Sequence, residues 1–181
     1  LNLSGGIKAW NSQKAVGPED LGLQLFSGNE SPEETLMTAY SLEEGLREFY
    51  LSMAAQVKTE SARRLFDQLS GIEVKHQDRI FNEYRRISAS APTREEFVQK
   101  VVASGMEGGL TTQDYLRLYQ PDLEVPEEVV SLAMAIEAQA LDLYQRAADR
   151  AGTMESKNVL MQIANEERTH LEQLGALFEK R

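Results

Sequence analysis

The chain has 181 residues, 41% of them apolar and 27% charged, with a net charge of −10, two His, one Trp and no Cys. A chain of this size can bury a core that needs neither disulfide nor structural metal, and without Cys it excludes thiol nucleophiles, iron–sulfur clusters and zinc fingers, leaving carboxylate, imidazole and water as metal ligands. An acidic balance with no basic stripe argues against nucleic acid, and no apolar run approaches the length of a membrane span. The opening residues, Leu1 to Gly6, have neither the basic flank nor the apolar stretch of a signal peptide, so a soluble cytoplasmic protein is expected.

Residues 1–30 hold five Gly, one Pro and the single Trp, Trp10, and read as a tail or linker; residues 31–181 read as the folded unit. Ser31 followed by Pro32, Glu33 and Glu34 predicts a helix start, and Leu36, Ala39, Tyr40, Leu46, Tyr50, Met53 and Val57 form its apolar stripe. Thr59 reads as the cap of a second helix that buries Leu65, Phe66, Leu69, Ile72, Ile80 and Ile87 and ends near Ser90–Pro92. Between Pro92 and Pro126 the pattern weakens to a short capped helix at Thr93–Val98, a break at Gly105–Gly109 and a turn or two over Thr112–Tyr119. A third helix follows Pro126, with Val129, Val130, Ala133, Ile136, Ala140, Tyr144 and Ala147 on one side, and stops at Gly152. Thr153 caps a fourth, with Val159, Leu160, Ile163, Leu171, Leu174 and Leu177 inward. Two antiparallel helical hairpins joined by a long crossover predict an all-α four-helix bundle.

The hairpins repeat at a constant offset of 94 residues: Ala39, Glu43, Tyr50, Thr59, Gln68, Glu73 and His76 answer to Ala133, Glu137, Tyr144, Thr153, Gln162, Glu167 and His170. Several of these identities are polar residues within apolar stripes. Glu43 and Glu137 sit among inward residues, and Glu73 with His76, like Glu167 with His170, lie three apart on one helix face. Glu166 also stands within a turn of His170, but its counterpart is Ile72, so Glu167 is the matched residue. The midpoint of Glu43 and Glu73 is residue 58 and that of Glu137 and Glu167 is residue 152, both at predicted reversals, so all four carboxylates reach one level of the bundle. A single Glu or His in a helix stripe is ordinarily an edge or packing residue; six at matched offsets are not. Four carboxylates facing a core repel strongly unless cations sit among them, and two divalent ions with neutral imidazoles balance the charge. Oxygen-rich ligation with one imidazole per metal suits iron or manganese better than zinc, calcium or magnesium.

The doubled pattern of Glu43 with Glu73-Val74-Lys75-His76 and Glu137 with Glu167-Arg168-Thr169-His170 resembles the ferritin-like di-iron carboxylate bundles over about residues 32–180. The Glu-x6-Tyr spacing, Glu43 to Tyr50 and Glu137 to Tyr144, is similar to the rubrerythrin group. The resemblance implies that Glu73 and Glu167 bridge two irons, that Glu43 and His76 complete one and Glu137 and His170 the other, and that Tyr50 and Tyr144 donate hydrogen bonds to carboxylates on neighbouring helices. It also implies a peroxide or dioxygen reductase and a homodimer. Two departures stand out: Ala140 occupies the place of a further carboxylate, and without Cys the chain holds no rubredoxin domain. An external donor, rubredoxin-like or a flavoprotein reductase, is therefore expected. Ferroxidase or iron-handling activity, a manganese-catalase reaction, and a metal-binding interaction module are the competing expectations. Separately, Leu3-Ser4-Gly5-Gly6-Ile7-Lys8-Ala9-Trp10 resembles the closing turn and helix of a rhodanese domain, covering about residues 1–18, and implies a rhodanese fusion.

Overall fold

The computed structural model describes residues 26–103, 116–117 and 120–179. Among these the chain is all-helical: α1 is Pro32–Gln56, α2 Glu60–Ile87, α3 Arg94–Ala103, α4 Pro126–Arg150 and α5 Met154–Glu179. The segment that resembles rhodanese, the Gly105–Gly109 break and all of Thr112–Tyr119 except Leu116 and Arg117 lie outside the described residues.

Four helices start where a side chain takes over a backbone N–H that the helix leaves without a partner. At α1, Ser31 Oγ accepts from the Glu34 N–H at 3.2 Å and Glu34 Oε2 accepts from the Ser31 N–H at 2.8 Å. Thr59 Oγ1 accepts from the Ala62 N–H at 3.3 Å, and Thr153 Oγ1 from the Ser156 N–H at 3.1 Å. Thr93 and Glu96 form a second reciprocal pair at α3. At α4 the N-cap Val125 offers no side-chain acceptor, but Pro126 fills the first turn with a φ already suited to a helix.

α2 stops at Ile87, short of the expected boundary, because the chain turns through Ala91 at φ 41° ahead of Pro92. That turn brings α3 onto the bundle. α3 runs past the expected Val98 to Ala103, and Phe97 inserts among Tyr40, Phe81 and Tyr84 with ring centroids 4.9, 5.5 and 4.5 Å away.

α1 packs along α2, and α4 along α5; α1 also meets α5 and α3, and α2 meets α4. Packed on more than one side, α1 buries more than its stripe, including Thr35, Met37, Thr38, Ser41, Leu42, Phe49 and Ala54. Ile72, Ile87, Ala140 and Leu171, expected inside, are only half-buried, because they stand at the edges of their stripes. The core also extends ahead of α1. Phe26 is buried against Tyr144, with centroids 6.4 Å apart, and Gly28, at φ 89°, passes so close to Arg150 that a Cβ would stand 2.2 Å from its carbonyl oxygen.

Buried apolar side chains form two clusters. One contains Leu36 to Leu42, Ile80 to Tyr84, Tyr144 to Ala148 and Val159 to Ala164; the other contains Leu46 to Val57, Ala62 to Leu69, Val129 to Ile136 and Leu174. On every long helix the gap between the clusters falls at the polar residues matched by the repeat.

Candidate metal centre

Glu43 of α1, Glu73 and His76 of α2, Glu137 of α4, and Glu167 and His170 of α5 meet in that gap. The four Glu are fully buried, and His76 and His170 are 4% and 8% exposed. The hairpins reverse at 57–59 and 151–153, as the midpoint arithmetic requires, so equal path lengths bring the carboxylates level.

Three sets of potential ligand atoms lie within 4.8 Å of one another: Glu43, His76 and Glu167; Glu137, Glu167 and His170; Glu73, His76 and His170. Together they use all six residues. Glu167 spans the hairpins, with Oε1 3.5 Å from His76 Nδ1 and Oε2 3.5 Å from His170 Nδ1. His76 Nδ1 is 3.0 Å from Glu43 Oε2 and 3.1 Å from Glu73 Oε2, whereas His170 Nδ1 is 3.6 Å from Glu137 Oε2. The two imidazoles stack with centroids 4.6 Å apart.

The tyrosines cross between hairpins. Tyr50 of α1 donates to Glu137 Oε1 at 2.6 Å, and Tyr144 of α4 donates to Glu43 Oε1 at 2.7 Å. Each bond holds one carboxylate oxygen and turns the other toward an imidazole. Burial and the adjacent carboxylates raise both phenols well above their ordinary range, so they remain protonated donors. Tyr144→Phe should therefore cost the metal-free chain roughly 1.5–3 kcal/mol, the range for a hydrogen bond to a charged group. Urea unfolding checks this, and an unchanged midpoint would reduce Tyr144 to packing.

Burial pushes all four carboxyls up, but the outcome divides them. Glu43 ends below the usual range because His76 and Tyr144 hydrogen-bond its charged form, and Glu137 does because the nearby His170 imidazole and the Tyr50 hydrogen bond favour its charge. Glu73 and Glu167 end well above it, since burial and the surrounding carboxylates both disfavour their charge. For His76 burial lowers the pKa, but the hydrogen bond to Glu43 and the charge of the adjacent Glu73 outweigh it and raise it to about 10. Both carboxylate oxygens of Glu73 and of Glu167, Glu137 Oε2 and His170 Nδ1 are buried without a hydrogen bond. Orphaned groups of this kind cost free energy unless something binds them, and carboxylate oxygens with imidazole nitrogens form a donor set for divalent transition metals. These residues fit a metal centre.

Glu166, only a competitor to Glu167 in the sequence, points elsewhere: it pairs with Arg79 and stands beside His76. Sequence reasoning missed this pair because the repeat selects matched residues, and these are unmatched. A charged residue opposite an apolar counterpart, Glu166 against Ile72, is the signal that could have found it.

A bundle of two helical hairpins that converges buried Glu and His residues on one layer defines a ferritin-like helical protein. The rubrerythrin family model matches residues 34–178, and the chain belongs to the rubrerythrin family. That membership implies metal binding, typically of iron, with which the buried cluster is compatible. A solved structure of a hypothetical protein from Pyrococcus furiosus is similar at 23% identity and a TM-score of 0.51, covering 82% of this chain and 89% of that one, which supports the fold. No curated protein matches the chain. Among the described residues, no helix is long and apolar enough to cross a membrane.

Proposed function

We propose that the chain is a di-iron oxidoreductase that reduces hydrogen peroxide to water with electrons from a separate donor protein. The observation that carries this reading is the unpartnered, fully buried Glu73 and Glu167 between two halves that each supply a Glu and a His. In the proposal Glu43 and His76 would hold one ion and Glu137 and His170 the other, with Glu73 and Glu167 available to both halves.

Bound there, two irons would supply Lewis acidity and one electron each for H2O2 + 2 H+ + 2 e− → 2 H2O. The protein positions and insulates. Tyr50 and Tyr144 fix the outer oxygens of Glu137 and Glu43, so the inner ones face the imidazoles within the layer. The apolar clusters on either side of the layer keep bulk water away from it. Without Cys, the chain cannot carry a rubredoxin centre, so we assign re-reduction to a rubredoxin-like protein or a flavoprotein reductase.

The test is anaerobic loading with ferrous iron followed by rapid mixing with oxidant. Two irons per chain, oxidised faster by peroxide than by dioxygen and repeatedly after re-reduction, are expected. Preference for dioxygen with accumulating ferric iron would replace this reading with iron handling, and oxygen release from the manganese form with a catalase. A folded chain that takes up no metal would overturn it altogether.

A further inference from the structure

The two halves of the centre are not equivalent, and the difference lies in one charged pair. Glu166 of α5 pairs with Arg79 of α2, and its Oε2 lies 3.6 Å from His76 Nε2, the ring nitrogen that faces away from the carboxylate cluster. Glu166 is 16% exposed and Arg79 56%, so the pair stands at the solvent edge of the layer. With Leu36 and Ile80 they line a cleft of about 20 Å³ that reaches His76, room for one water-sized molecule.

Among the described residues, no equivalent pair serves His170. The positions 94 residues away are Ile72 for Glu166 and Gln173 for Arg79, and neither can reproduce the pair. Among the described residues, the carboxylates near His170 lie at Nδ1. The inner faces differ too, since His76 Nδ1 hydrogen-bonds Glu43 while His170 Nδ1 and Glu137 Oε2 have no hydrogen bond.

An imidazole that offers the Nδ1 lone pair to a cation carries its proton on Nε2. A carboxylate facing that N–H selects the tautomer, holds the ring plane and makes the ligand nitrogen more basic; such partners are typically worth about 10–100-fold in metal affinity. Its pairing with Arg79 holds Glu166 on the outer side of His76, away from the carboxylate cluster.

We propose that Glu166, anchored by Arg79, is a positioning residue for His76 that makes the His76 half of the centre bind divalent metal more tightly than the His170 half. This rests on the di-metal reading above and adds an order of filling to it.

Titrating the metal-free full chain with Co2+, followed by its visible absorption, should resolve two steps, the first at least about tenfold tighter. His76→Gln should remove the tight step and His170→Gln the weak one. Glu166→Gln should weaken the first step by about 10–100-fold and leave the second within about twofold. In the Co2+ form, the shifted N–H proton resonance of His76 should exchange slowly with water and be lost in Glu166→Gln, a change that altered folding alone would not confine to one imidazole. Weakening of both steps alike, or of neither, would overturn the proposal. Two equal steps in the wild type would overturn the proposal and leave the di-metal reading standing, whereas no uptake of Co2+ or Fe2+ would overturn the di-metal reading beneath it. Should Glu166→Gln fail to fold, the double variant Ile72→Glu with Gln173→Arg puts the pair in the other half. It should tighten the second step, and an unchanged second step counts against the proposal.

Discussion

Glu167→Gln is expected to abolish uptake of a second metal ion and to slow peroxide-driven oxidation by about 1,000-fold or more, roughly 4 kcal/mol in barrier height. Among the described residues, no other side chain reaches both halves as evenly, with one oxygen 3.5 Å from each histidine Nδ1 and neither oxygen hydrogen-bonded. An amide of the same shape offers one neutral oxygen and turns an NH2 group toward the second cation. The fold should survive, because burial and neighbouring carboxylates already disfavour the charge at this position, and the amide removes that charge without opening a cavity. Metal analysis, stopped-flow oxidation and circular dichroism on one preparation read all three effects. Two tightly bound ions with unimpaired turnover in Glu167→Gln would exclude Glu167 as the shared ligand.

Removing metal should have the second largest effect, on stability. A ligand that binds only the folded chain stabilises it by about 4 kcal/mol at a 1,000-fold excess over its Kd. For a chain of this size each kcal/mol corresponds to roughly 2–4 °C, so a single filled site should raise the unfolding temperature by about 8–16 °C. The orphaned oxygens of Glu73 and Glu167 explain the direction, since the folded state gathers ligands that the unfolded chain scatters. Thermal unfolding with Fe2+ or Mn2+, then with excess chelator, measures the shift. Equal unfolding temperatures in the two conditions would mean that the layer binds no metal in the folded state.

Much of this arrangement is legible in the residues. Ser31, Thr59 and Thr153 announce helix starts because a short oxygen-bearing side chain ahead of an apolar period has few other uses. The 94-residue offset separates Glu167 from Glu166, and in the structure Glu167 is the one facing the layer. Periodicity was less informative about α1, since a single stripe assumes one buried face and α1 is packed on several sides. It also understated α3, where Phe97 looks like an ordinary residue of a short helix until α1 and α2 surround it. Phe26, among residues of no helical period, is buried through contacts remote in sequence that no local pattern encodes.

The sequence by itself determined the helical hairpins, their reversal points and the residue types that converge, because helix period, capping chemistry and equal path lengths are local or arithmetic properties of the chain. It determined also that no thiol takes part. Only the tertiary structure decided which tyrosine serves which glutamate, Tyr50 to Glu137 and Tyr144 to Glu43, and that Glu166 meets His76 at Nε2 while the carboxylates that His170 meets among the described residues lie at Nδ1. Those contacts cross from one hairpin to the other. Their direction depends on how the hairpins rotate and settle against each other, which an internal repeat leaves open because it relates the halves without docking them.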